Sequence, residues 1–217
     1  MKCLVLDTET TGFVEPELIE VAWLEMKSPT QAVGFFEQRY RPNKSISFGA
    51  MATHHIMDED LADCPPSSDF ALPPDVGYLI GHNVDFDWGV IGSPDVKRIC
   101  TVALCRELYP EVDSHSLSAM FYYLERETAR ERLKSAHSAM ADVYLCRDIL
   151  KHIIAKLGVN TWGDLWRASE SARIPKVMPF GKHKGMAIKD IPADYKQWLL
   201  RQSDIDPYLI AAISGKS

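Results

Sequence analysis

No apolar run in these 217 residues approaches the ~18 uncharged residues that a membrane-spanning helix needs, which excludes a helical membrane span. The N-terminal MKCLVLDTETTG reaches Asp7 and Glu9 before a signal-peptide apolar region can be completed, so the expected location is the cytoplasm. Cysteine is sparse: Cys3, Cys64, Cys100, Cys105 and Cys146 are odd in number, scattered, and never form a CxxC pair. That spacing offers neither a zinc ribbon nor a dithiol redox site, and the expectation is buried free thiols in a reducing compartment. Positive charge is in deficit, with 24 Lys and Arg against 30 Asp and Glu and a net charge of −6. Such a chain is poorly suited to coating nucleic acid by bulk electrostatics. A local site remains open to it, because metal ions can supply the positive charge a phosphate needs. Internal repeats and low-complexity tracts are absent as well.

The length is that of one sizeable domain and a small appendage. Apolar residues at 46% and charged residues at 25% are ordinary for a soluble globular chain. Charge is unevenly spread: residues 1–175 hold 17 basic and 26 acidic side chains, residues 176–217 hold 7 and 4. The shift predicts a first domain over 1–157, a helical connector over 158–175 and a small basic module over 176–217. Short apolar runs at 3–7, 18–25, 33–40, 77–81 and 98–102 read as strands, the first three joined as an antiparallel meander. Residues 63–75, with four prolines, read as a surface loop. Residues 116–124 and Ala139–Leu157 carry apolar side chains at helical spacing. The expected fold class is α/β, a mixed five-stranded sheet flanked by helices.

Four acids stand where acids are costly. Asp7 and Glu9, two residues apart on the first strand, leave the same face of it. Asp87 follows Asn83 by four residues in HNVDFD, and Asp142 closes HSAMAD at the start of the long helix. Carboxylates brought together repel unless a cation neutralises them, and hard oxygen donors select magnesium or manganese. Taken singly, each has a plainer explanation as a turn or helix-start acid. Asp85 cannot share a helix face with Asp87 and reads as solvated. His137 alone would be a hydrogen-bonded structural histidine.

Jointly, DTETTG at 7–12, HNVDFD at 82–87 and HSAMAD at 137–142 resemble, in order, the three motifs of the DEDDh family of 3′-to-5′ exonucleases. The resemblance covers about residues 1–157 and implies a ribonuclease H-like fold with two divalent cations, Mg2+ or Mn2+. Carried over by position, it implies metal-binding, catalytic acids at Asp7, Glu9, Asp87 and Asp142, and a general base at His137. In a sister group a tyrosine takes the next place, which here is Ser138. Substrate-binding positions become Thr8, Thr10, Thr11, Gly12, Phe13, His82 and Asn83, with Phe13 stacking on the terminal base. IEVAW at 19–23 is similar to the family's second strand. His54-His55-Ile56 stands where the family usually reads His-Gly-Ile, which questions the turn there.

The tail carries GKHKG, a basic turn presenting Lys182, His183 and Lys184, without the spacing of a phosphate-cradling P-loop. PFGKHKGMAIKDIPADYKQWLLRQ resembles the C-terminal module of a DNA-degrading family member, which favours DNA over RNA as partner. These lysines and the histidine are candidate nucleic-acid contacts; a solvated hairpin on a packing module is the competing reading. The leading expectation is an exodeoxyribonuclease acting on 3′ ends and releasing 5′-mononucleotides, with a repair role. A ribonuclease of the same fold, a proofreading subunit and a non-catalytic end-binding protein stand as alternatives. Family members are often homodimers.

Overall fold

A computed structural model describes residues 1–202 and 205–215; residues 203–204 and 216–217 of the expected tail module lie outside them. Five strands form one sheet in the order β3-β2-β1-β4-β5. They are β1 (Lys2–Thr10), β2 (Leu18–Ser28), β3 (Gln31–Arg39), β4 (Val76–Gly81) and β5 (Lys97–Cys100). The first three pair antiparallel, and β4 and β5 add on parallel to β1. β1 runs three residues beyond the apolar stretch that marks it in the sequence, so Asp7 and Glu9 lie inside the strand, not at its end. β5 is shorter than expected, because Thr101 and Val102 open a helix.

Side-chain alternation along β1 divides the core. Cys3 and Val5 point with Ala22 and Leu24 of β2 into a large cluster. That cluster is completed by α3 (Thr101–Leu108), α4 (Leu117–Leu124) and the long α6 (Ala139–Leu157). Leu4 and Leu6 point the opposite way, joining Val21 and Trp23 in a second cluster that takes in Val84 of α2 (Val84–Val90). β3 is an edge strand with mostly exposed side chains, although Phe36 stacks on Trp23 at 4.0 Å.

Helix ends follow their local chemistry. Ser138 accepts from the Ala141 N–H to cap α6, and Gly158, left-handed at φ 67°, closes it, giving the span that the apolar spacing marks out. α1 (Phe48–His54), capped by Ser47, ends at His55, which is left-handed at φ 60°. The family's glycine position therefore keeps its turn with a histidine in it. α5 (Arg126–Arg132) follows α4. α7 (Trp162–Arg173) is more than a connector: Leu165 is fully buried in the large cluster, with Trp162 and Trp166 against it. Four of the five cysteines are buried, Cys64 is half-buried, and all are free.

The tail holds α8 (Ala193–Leu199) and α9 (Pro207–Ile213) around a small core of its own, made of Met178, Ile188, Ile191, Leu199 and Leu209. It is tied to the rest by the Arg173 guanidinium. Nη1 donates to the Tyr208 hydroxyl of α9 at 2.5 Å and to Asp85 of α2 at 3.2 Å. Asp85 also receives Arg98 at 2.5 Å, so the acid expected to be solvated is doubly ion-paired.

A β-carbon in the left-handed region costs about 1 kcal/mol that glycine avoids. His55→Gly should therefore raise unfolding stability by up to about 1 kcal/mol, offset in part by the freer unfolded chain. Denaturant unfolding of the two chains checks this.

Candidate active site

Because β1 alternates, Asp7 and Glu9 continue the face of Cys3 and Val5 toward α6, whose first turn carries Asp142. One carboxylate oxygen from each of Asp7, Glu9 and Asp142 lies within 4.8 Å of the others. Three hard oxygen donors at that spacing fit a divalent cation, the donor set the repulsion argument requires.

Electrostatics bear this out in direction. Burial raises the Asp7 carboxyl well above the usual range, with repulsion from Asp87, Asp142, Glu9 and Glu20 adding to it. Burial pushes Glu9 up to about 8, helped by Asp142, Glu20 and Asp87. Asp142 is raised by burial too, against a backbone N–H bond from His137 that favours its charged form.

Asp87 stands apart from the trio. It is 5% exposed, and a single oxygen, Oδ1, accepts both the Thr8 N–H at 3.0 Å and the Thr8 hydroxyl at 2.7 Å. Burial lifts it to about 7 despite these bonds. Thr8 lies on the α2 face of β1, so this pair locks α2 to the strand that carries the trio. His137 precedes α6 in a left-handed conformation, φ 69°, with its N–H 3.3 Å from Asp142 Oδ1. His137 is an exposed residue.

Beside the acids lies a cavity of about 230 Å3, bordered by Thr8, Glu9, Thr10, Gly12, Phe13 and Phe86, with α1 opposite. Phe13 is 91% exposed and meets Phe86 edge-on at 5.8 Å, so it wedges the mouth of the cavity instead of closing a core. Gly12 sits at φ 140°, and a β-carbon there would come within 2.8 Å of the Ser47 hydroxyl. Thr10 keeps its hydroxyl on Gly12 at the cavity wall.

Other expected contacts are turned elsewhere. The Thr11 N–H donates to the Glu17 carbonyl and its hydroxyl accepts the Glu17 N–H at 3.1 Å, so the turn takes up the N–H and one acceptor site of the hydroxyl. His82 is a brace: Nε2 donates to the His115 carbonyl at 2.8 Å and Nδ1 faces the Thr101 hydroxyl at 3.0 Å. Burial lowers its pKa to about 4, which keeps it neutral. Asn83 is the left-handed residue before α2 and borders a different cavity, between that helix and the tail. Lys182 and Lys184 are exposed on the tail, whereas His183 turns its ring against Tyr195 at 4.6 Å between centroids.

Three participants escaped the sequence reading. Glu20, 2% exposed, lies directly across from Glu9 in the β1–β2 register. Its Oε1 receives Arg39 Nε at 2.8 Å and its Oε2 the Ala139 N–H at 3.0 Å, which pins the first residue of α6. His54 accepts the Ile56 N–H on Nδ1 at 3.1 Å and directs Nε2 to the Thr10 carbonyl at 3.3 Å, bracing the cavity floor. Phe86 sits in the second motif between two acids, where its aromatic character carries no signal of its own.

A mixed sheet whose central strand brings paired acids to a helix-borne third is the arrangement of a metal-dependent nuclease. A family model described as Exonuclease matches residues 4–150, and the chain belongs to the exonuclease family. Exonucleases of this kind use divalent metals, and the acidic trio supplies a matching donor set. Among curated proteins the chain is 29% identical to exodeoxyribonuclease 10 of Escherichia coli (strain K12), over 92% of this chain and 91% of that one. It is also 29% identical to DNA polymerase III subunit epsilon of Pasteurella multocida (strain Pm70), covering 65% of this chain and 66% of that one. The structure titled exonuclease X in complex with 5′ overhanging duplex DNA matches with a TM-score of 0.63 and 25% identity. It covers 77% of this chain and 99% of the other. E. coli exonuclease I with a dT13 oligonucleotide shares the fold, with a TM-score of 0.58, 20% identity, and coverage of 72% and 42%. A second family model, described as putative quorum-sensing-regulated virulence factor, matches residues 171–204.

The raised carboxyls set the pH dependence of the metal-free protein. The folded state holds protons that the unfolded chain releases from about pH 4.5 upward, so unfolding gains a driving force as pH rises toward 8. In chelator, the thermal midpoint should fall between pH 5 and 8, and saturating magnesium should lessen that fall. A midpoint rising with pH in chelator would contradict the repulsive trio.

Proposed function

We propose that the chain is a 3′-to-5′ exodeoxyribonuclease that hydrolyses terminal phosphodiesters and releases 5′-mononucleotides, using two divalent cations, Mg2+ or Mn2+. The observation that carries the proposal is the convergence of Asp7, Glu9 and Asp142 within 4.8 Å, beside a cavity of about 230 Å3 walled by Phe13 and Phe86. DNA as substrate draws support from the similarity to exodeoxyribonuclease 10 along 92% of the chain. The similarity to DNA polymerase III subunit epsilon keeps a proofreading relative in view. The acids are read as two overlapping ligand sets, Asp7, Glu9 and Asp142 for one ion and Asp7 for the second, with Asp87 acting at longer range. Cations bound there supply the positive charge that neutralises the carboxylates and polarises the scissile phosphodiester.

The protein's own groups then have distinct tasks. Phe13 and Phe86 hold the terminal base by its faces and edge, which is tolerant of base identity. Thr10 and Gly12 line the approach to the terminal sugar. Thr8 fixes Asp87, and through it α2, against β1. His137 is the base that takes the proton from the attacking water, its ring placed by a backbone that is itself bonded to Asp142. Glu20 holds the start of α6, so that Asp142 and His137 keep their position relative to β1.

The test uses 5′-labelled DNA and RNA oligomers of one sequence. A ladder shortening from the 3′ end of DNA, lost in chelator and much weaker on RNA, is expected; faster shortening of RNA would move the substrate to RNA. Asp7→Asn and Asp142→Asn should each lower the rate at least about 100-fold while the protein stays folded, because misplaced reactants are that costly. His137→Ala should cost about 10²–10⁴-fold, the range of a missing general base. Full activity in either acid variant would end the assignment.

A further inference from the structure

The C-terminal module exposes an indole beside an aromatic ring, Tyr195, that packs on its core. Trp198, on α8, is 51% exposed and stacks on Tyr195 one helical turn earlier, with centroids 5.3 Å apart and planes 30° apart. Lys182 sets its ammonium 5.1 Å from the Tyr195 ring, and the His183 ring meets the same ring edge-on at 4.6 Å. Gly181 makes this assembly feasible. At φ 70° it takes a turn that favours glycine, and a β-carbon there would lie 2.8 Å from the Tyr195 hydroxyl. The basic turn and the aromatic pair therefore form one built surface.

Its charge points to the occupant. Residues 176–217 carry seven basic and four acidic side chains, against 17 and 26 in the rest of the chain. Lys182 and Lys184 are exposed in the turn itself. A half-exposed indole stacked on a tyrosine ring that also meets the Lys182 ammonium offers a base a π-surface and the adjoining phosphates a cation. The residues just before the basic turn border a cavity that also reaches the second motif. This cavity of about 380 Å3 runs between module and sheet, bordered by Asn83 and Arg106 on one side and by Pro179, Phe180 and Tyr208 on the other. Phe180, 43% exposed, immediately precedes Gly181.

We infer that the Tyr195–Trp198 pair, with Lys182 and Lys184, binds single-stranded nucleic acid by base stacking. It takes a part of the strand remote from the end held at Asp7 and Glu9. The inference rests on the reading of the chain as acting on nucleic-acid strands, and it assigns the module a grip of its own.

The experiment uses the full chain in chelator, so that strands are bound and not consumed, with a fluorescein-labelled dT20 strand as probe. Trp198→Ala is expected to weaken binding about tenfold, Trp198→Phe less, and the double variant Lys182→Glu, Lys184→Glu about as much as Trp198→Ala. The charge variant should also show a shallower dependence on salt. In magnesium, the penalty should appear in the KM for dT20 and grow with strand length from a trinucleotide upward. The inference is overturned by unaltered dT20 affinity in both Trp198→Ala and the charge variant. An equal penalty on the trinucleotide overturns it too, as does tighter binding of blunt duplex than of dT20. A shift in oligomeric state on Trp198→Ala with unchanged strand affinity would assign the face to a second copy of the chain and overturn it as well. Binding through Trp198 without any cleavage would sustain this inference and defeat the nuclease reading. Cleavage with no role for Trp198 would do the reverse.

Discussion

Everything in this fold answers to one cost, that of keeping several carboxylates close together away from water. Asp7, Glu9 and Asp142 meet within 4.8 Å, and Glu20 stands directly across the strand pair from Glu9. Like charges opposed on one sheet face destabilise it. Two of the acids in this region are held by neighbours: Glu20 by Arg39 and the Ala139 N–H, and Asp87 by Thr8. The three that converge carry the mutual repulsion, eased at Asp142 by the His137 N–H. The protein thus stabilises the acids that orient the scaffold and leaves the charge of the converging set for a cation to balance.

Alternation along β1 makes this separation possible. Residues of one parity run from core positions Cys3 and Val5 to Asp7 and Glu9, facing α6. Those of the other parity run from Leu4 and Leu6 to Thr8, facing α2. A single strand therefore positions the converging acids on one side and holds the helix of the second motif on the other. A slip of one residue would exchange the two sets, and the buried apolar residues on both faces resist it.

Much of this was legible in the sequence because short-range chemistry carried it. The five strands follow from apolar runs, and the span of α6 from its spacing between Ser138 and Gly158. The acids were marked by motif order. What stayed hidden depends on partners distant in the chain. Glu20 looks like any strand acid until the β1–β2 register sets it opposite Glu9 and α6 arrives to donate to it. His82 looks available for substrate until the His115 carbonyl, 33 residues on, occupies it. Asp85 looks solvated because Arg173, its closest tie to the tail, lies 88 residues away. His55 shows the opposite limit: a left-handed turn persists where the residue type argues against it, since the N–H to Met51 and the packing on either side determine the backbone.

Arg173 joins three parts of the molecule through one guanidinium: its own helix, Tyr208 in the tail, and Asp85 in α2, two residues before Asp87. The tail's core, with five buried apolar side chains, is too small to sustain folding alone. It also rests on its neighbours through Lys176, whose ammonium donates to Glu107, and Tyr208, whose hydroxyl donates to Glu170. One guanidinium thus bridges the tail and the helix of the second motif, so a displacement of Tyr208 reaches Asp85 through a single shared donor.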